Sequence, residues 1–201
     1  MLLIITGPQG SGNHLFSKIF ALSDRVQGWQ ALNEKYWIGH DQEPFADYWH
    51  NPELLKTFAW THDFYVTSVS CPYVYRGETV VPDYEAFIRN CQVPVRLAII
   101  GRDQTILEYQ QSRVRGRQTK QEFLNCLDKL MPYNPVFISQ ELLYLYGANY
   151  IQSLGQLLKF PVSQDIDAIN NVLKEDANKK YIEPVIAHWL DEEVKLASRK
   201  I

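Results

Sequence analysis

From Met1 to Thr6 the chain is apolar almost without a break, and it then runs into the turn Gly7-Pro8-Gln9-Gly10-Ser11-Gly12-Asn13-His14. Apolar residues return at helical spacing from Leu15 to about Leu22, so this stretch predicts strand, turn and helix. Residues 24–55 show no sustained period beyond a short helix after Asn51-Pro52. Lys56–Thr61 (KTFAWT) predicts a second strand ending at His62-Asp63. Pro82-Asp83 opens a helix to about Asn90, with proline where its missing N–H costs nothing. The near-continuous apolar run Val95–Gly101 (VRLAIIG) predicts a strand buried on both faces and ending at Arg102-Asp103. Helices are predicted from Thr105 to about Val114 and over Lys120–Met131, and a short buried strand over Pro135–Ser139. The remaining expected helices cover roughly Ala148–Leu158, Asp165–Leu173 and Tyr181–Ala197.

Apolar strands alternating with helices predict an α/β fold, a three-layer sandwich around a short parallel sheet. In such sheets ligands bind beyond the C-terminal ends of the strands. That rule gathers Gly7–His14, Thr61–Asp63 and Arg102-Asp103 at one edge. No repeat or linker interrupts the 201 residues, so one domain spanning 1–201 is expected. With 46% hydrophobic and 21% charged residues and a net charge of −3, nothing favours a general nucleic-acid surface. No apolar run is long enough to span a bilayer, and the N-terminal run lacks the basic flank of a signal peptide. A cytoplasmic location and no membrane partner are the expectations. Cys71, Cys91 and Cys126 are odd in number and have no metal-ligand spacing, which predicts free thiols. No Asp, Glu or His spacing suggests a metal site.

The glycine turn has the spacing of the Walker phosphate loop, G-x-x-x-x-G-K-[ST], from Gly7 to Gly12. Its glycines let backbone N–H groups face an anion, and the following helix points its positive end there. Asn13 and His14, however, stand where the lysine and the magnesium-binding hydroxyl belong. The expected ligand is therefore a phosphate-like anion other than an ordinary magnesium triphosphate, held by Gln9, Gly10, Ser11, Gly12, Asn13 and His14. His62 is the expected general base, because a neutral imidazole suits proton transfer near neutrality, and His14 is a second catalytic candidate. Arg102, leaving a buried strand at the ligand edge, suits bidentate phosphate recognition. Arg113, Arg115 and Arg117 form a basic run, of which Arg113 is the best candidate for the anion pocket. The aromatic residues of 29–49, with Tyr65, Tyr73 and Tyr75, offer either core packing or an acceptor cleft.

The three segments together resemble the PAPS-dependent sulfotransferase family, whose donor is 3'-phosphoadenosine 5'-phosphosulfate (PAPS). Its loop G-x-P-[KR]-S-G-T-T is similar to Gly7–His14, its T-H element to Trp60-Thr61-His62-Asp63, and its R-[DN]-P strand end to Ile99-Ile100-Gly101-Arg102-Asp103. Ser112 resembles the serine that joins the arginine on the 3'-phosphate. Tyr133–Val162 resembles the later strand and helix that end in an F-P turn. The resemblance covers about residues 1–162 and implies a P-loop nucleoside triphosphate hydrolase-like fold. It also implies sulfuryl transfer from PAPS to a hydroxyl or amine of a small-molecule or glycan acceptor. The chain departs from the pattern at Gly10, where the family has Lys or Arg, and at Gln104, where it has proline. Ser112 lies ten residues after Arg102 where eight is usual, and Gln110 holds the usual place. Two alternatives follow: a P-loop kinase of a nucleoside or small metabolite, with Asp103 as its acid, and a catalytically degenerate nucleotide-binding domain.

Overall fold

The structure, a computed structural model, describes residues 1–28, 43–115 and 119–174, without the side chains of 113–115. Trp29, Tyr36, Trp37, Arg117 and the helix expected over Tyr181–Ala197 lie outside the described residues, as do the side chains of Arg113 and Arg115.

The first strand, β1 (Leu2–Pro8), is buried at every position. Its alternating side chains divide between two cores. Leu3 and Ile5 pack with Phe16, Ile19 and Phe20 of α1 (Asn13–Phe20), while Leu2 and Ile4 pack on the other face with Trp49 and Phe87. A strand sealed on both faces commonly reads as a near-continuous apolar run, and β1 does so from Leu2 to Ile5. It sits at the middle of a five-stranded sheet in the order β2-β3-β1-β6-β7, every neighbour parallel. The other strands are β2 (Val26–Gln27), β3 (Phe64–Cys71), β6 (Val95–Gly101) and β7 (Val136–Ser139). The two helices α7 (Ala148–Leu158) and α8 (Ile166–Lys174) join α1 on the first face. The second face carries α2 (Ala46–His50), α3 (Tyr84–Asn90) and α5 (Lys120–Leu130). The fold is therefore α/β, a parallel sheet between helices, compatible with the expected three layers. Between β3 and α3 a hairpin pairs β4 (Tyr73–Tyr75) with β5 (Glu78–Val80). Its turn places Arg76 and Gly77 at φ 48° and 87°, the backbone that a two-residue hairpin turn needs.

One expected strand is wrong. Pro52–Thr57 forms a 3-10 helix, residues 58–63 are irregular, and the strand beside β1 begins only at Phe64. Phe58 and Trp60 gave that stretch its strand-like alternation, but they pack against each other and against Phe45, outside the sheet (ring centroids 4.7–5.8 Å). The true strand, FYVTSVSC, is half polar. Its buried hydroxyls are satisfied locally: Thr67 Oγ1 accepts from Trp49 Nε1 at 3.0 Å, and Ser68 Oγ from Ser17 Oγ at 3.1 Å.

The register fixes where the site lies. Pro8 faces Cys71 and Gly101 faces Ser139, so the ends of β1, β3, β6 and β7 share one edge. Two further helices start there, α4 (Gln104–Arg115) and α6 (Gln140–Tyr146). No helix among the described residues is long and apolar enough to cross a membrane.

Candidate functional site at the C-terminal edge of the sheet

Gly10 and Gly12 take φ 86° and 100°, the left-handed region that favours glycine. Ser11 N donates to Pro8 O (3.1 Å) and Phe16 N to Gly12 O (3.2 Å), closing the turn and starting α1. By helix geometry the N–H groups of Asn13, His14 and Leu15 have no acceptor within α1, so they and the helix dipole favour an anion at this end.

Asn13 occupies the position a Walker lysine would hold, and its side chain turns inward. Its Oδ1 accepts from Ser11 Oγ at 2.9 Å, and its Nδ2 donates to Ser70 Oγ at 3.0 Å and Val69 O at 3.4 Å. At 3% exposure it pins the turn to the end of β3 and does not reach outward. His14, by contrast, pairs through Nε2 with Glu43 Oε1 at 3.0 Å, with side-chain exposures of 16% and 5%. Glu43 lies just ahead of α2, in a stretch with no periodic signal, which is why sequence reasoning missed it.

Arg102 extends from the end of β6 over the turn. Its Nη1 donates to Gly10 O and to Gln110 Oε1. Gln110 is buried on α4, and its amide lies 3.1–3.3 Å from where a Gly10 Cβ would stand. The partner of Arg102 is therefore the residue eight positions on. Ser112, two residues further and so about 200° around the helix from Gln110, is exposed. The Arg113 side chain lies outside the described residues. Asp103 is occupied as a cap: Oδ1 accepts from Ile106 N at 2.9 Å, opening α4.

Amides and a hydroxyl complete the surroundings. Gln111 Nε2 donates to Gln9 O at 2.6 Å, and Thr119 Oγ1 to Gln9 Oε1 at 3.0 Å, so Gln9 faces protein and not an open cleft. The Gln140 amide lies against Gly12, its Cδ 2.9 Å from where a Cβ would stand. Beside Leu15 and Gln140 opens a cavity of about 330 Å3, reaching Tyr144, Asn170 and Lys174. At the end of β3, burial and the neighbouring Cys126 sulfur (3.7 Å away) push the Cys71 thiol well up, which holds it protonated. The three cysteines are free thiols.

His62 is absent from this edge. It precedes β3, next to Asp63, whose carbonyl accepts from the Met1 amino group at 2.5 Å. The six residue steps from Leu2 to Pro8 put it about 20 Å from the glycine turn. The expectation of a base at His62 followed from the misplaced strand and is corrected. The structure places Gly10, Ser11, Gly12, Asn13, His14 and Arg102 together at this edge with Glu43, Gln110 and Gln140 beside them, Gln9 turned into the protein, His62 at the opposite end of the sheet and Ser112 exposed on α4. No protein-family model matches this chain, and a search of curated proteins found no match either, so any functional reading rests on this geometry.

Proposed function

We propose that this edge binds a nucleotide-like ligand through two anionic groups, one at the Gly7–His14 turn and one at Arg102 and Gln110. The reaction class that fits such a ligand is sulfuryl transfer from PAPS on a P-loop-type scaffold. The observation that carries the reading is Arg102 lying over Gly10 with Gln110 beside it, so that a cation meets the turn although the loop itself has none. The cavity beside Leu15 offers room for the nucleoside part.

In sulfuryl transfer an acceptor oxygen or nitrogen attacks sulfur, the sulfur–oxygen bond to the donor phosphate breaks, and the acceptor loses a proton. Turn N–H groups and Arg102 would take up charge on the departing phosphate. With His62 elsewhere, the Glu43–His14 pair is the acid–base candidate: a buried carboxylate hydrogen-bonded to an imidazole next to the anion. The test is turnover of PAPS with a panel of hydroxyl and amine acceptors. Glu43→Gln should lower turnover by about 100-fold or more while leaving product-nucleotide affinity within a few-fold. Unchanged turnover in Glu43→Gln would remove the pair from the chemistry.

The inward-turned Asn13 favours a second reading, a domain that binds the nucleotide without transferring anything. Tight nucleotide binding with no turnover of any acceptor would select it.

A further inference from the structure

On the second face of the sheet, next to the start of the glycine turn, two cysteines that the proposed chemistry does not use meet in the core. Cys71 ends β3 and Cys126 lies in the middle of α5. Their sulfurs are 3.7 Å apart, although 55 residues separate them along the chain. We propose that Cys71 and Cys126 are a modification site, a thiol pair that peroxide converts to a disulfide, and that the bond so formed loosens the glycine turn.

The order of reaction follows from access. Cys71 is fully buried, whereas Cys126 is 8% exposed. Burial and the Cys126 sulfur also keep the Cys71 thiol protonated, so the first attack on peroxide falls to Cys126. The Cys126 sulfur takes one oxygen atom, which leaves a sulfenic acid and one water. The Cys71 sulfur then attacks the Cys126 sulfur, the S–O bond breaks, and hydroxide departs with the Cys71 proton as a second water. Two thiols are oxidised to one disulfide, and one peroxide is reduced to two waters. Cys91, beyond the end of α3, is not part of the pair.

Both elements that carry the pair hold the turn. From β3, Ser70 Oγ accepts from Asn13 Nδ2 at 3.0 Å, and Cys71 itself faces Pro8. From α5, Thr119 at the N-cap donates through Oγ1 to Gln9 Oε1 at 3.0 Å. The Thr119 N–H donates in turn to Gln111 Oε1 at 2.8 Å, and Gln111 Nε2 to Gln9 O at 2.6 Å. A disulfide requires the two sulfurs to close by about 1.7 Å. The strand β3 is fixed between β1 and β2, and α5 is a surface helix with Gln121, Leu124, Asn125, Asp128 and Lys129 exposed, so the helix makes the move. Rigid helices shift by such amounts in known switches, and a hydrogen bond that starts at 3.0 Å does not survive it. The Thr119–Gln9 tie therefore yields, while Ser70–Asn13 is kept.

The experiment treats the full chain with hydrogen peroxide. It is read by non-reducing peptide mass spectrometry and by hydrogen–deuterium exchange of residues 7–14. One disulfide should form, joining the peptides of Cys71 and Cys126 with the loss of two hydrogens, and dithiothreitol should reverse it. Exchange in the turn should speed up about fivefold, the weight of one lost hydrogen bond. Thr119→Ala should give the same acceleration in the reduced chain, and oxidation should then add little. Cys126→Ala, with native far-UV circular dichroism as the control for folding, should abolish both the cross-link and the change in the turn. Cys91→Ala should leave both in place. If Cys126→Ala does not fold, the peptide map and exchange of the native chain decide. Neither readout needs a nucleotide, so failure here is distinct from failure of the proposed transfer reaction. Four results would overturn the proposal. They are no cross-link in the native fold, whether the thiols stay reduced or Cys126 goes on to sulfinic acid; a disulfide through Cys91; a cross-link formed only in urea; and exchange in the turn that is unchanged or slowed by the cross-link.

Discussion

Replacing Asn13 with alanine tests whether the glycine turn is locked from within. The side chain makes two hydrogen bonds of good length, from Ser11 Oγ (2.9 Å) and to Ser70 Oγ (3.0 Å), and a longer one to Val69 O (3.4 Å). Ser11 is fully buried and Ser70 6% exposed, so water cannot easily replace the lost partner. At about 1 kcal/mol net per good bond, plus the cost of two stranded hydroxyls, the loss should be about 2–4 kcal/mol. For a chain of this length that is a fall in Tm of roughly 5–15 °C. Urea unfolding followed by far-UV circular dichroism measures it. Ser11→Ala breaks only the first bond, and the double variant should show a coupling of about 1 kcal/mol. A loss under about 0.5 kcal/mol for Asn13→Ala would mean that the inward hydrogen bonds do not hold the turn.

Gly12→Ala should be at least as damaging, because it combines φ 100° with overlap of Gln140 Oε1. Removing the overlap with Gln140→Ala should leave a residual cost of about 1–2 kcal/mol from the backbone alone, read from the same unfolding curves. Gln110→Ala should weaken nucleotide binding several-fold and Ser112→Ala should not; calorimetry with equal effects would return Ser112 to the pocket. Burial pushes the Tyr73 phenol and the Cys91 thiol each up to about 12. The folded chain therefore holds these protons more tightly than the unfolded chain. Stability from these groups is intact below their ordinary values and is lost as pH rises through them towards 12. Urea midpoints from about pH 8 to about pH 11 should fall, and Cys91→Ala should flatten the early part of the fall.

The sequence made the central and right-hand parts of the sheet legible. Leu2–Pro8 is buried throughout and Val95–Gly101 at its centre, Leu97 to Ile100, so their residue types reveal their place, and the glycine turn advertises itself through the backbone it requires. The helices over 120–130, 148–158 and 166–174 follow from periodicity. The strand Phe64–Cys71 was hidden because Thr67, Ser68 and Ser70 are buried as hydrogen-bonded polar groups, and polarity reads as exposure when partners are unknown. The same error carried His62 to the wrong end of the sheet. Of the site, the turn and Arg102 were visible as motif and strand end. Gln110 was visible by spacing, but its contact with Arg102 became clear only in three dimensions. Glu43 could not be found, because its pairing with His14 spans a stretch without pattern.

The central claim is that Arg102 and the glycine turn form one anion-binding pocket. Calorimetric titration with adenosine 3',5'-bisphosphate, AMP and magnesium ATP, on the native chain and on Arg102→Ala, tests it most directly. The expected result is selective binding of the bisphosphate, weakened about tenfold or more in Arg102→Ala, as for loss of a charge-assisted contact to phosphate. Binding of magnesium ATP in preference, or no binding of any of the three, would contradict the account.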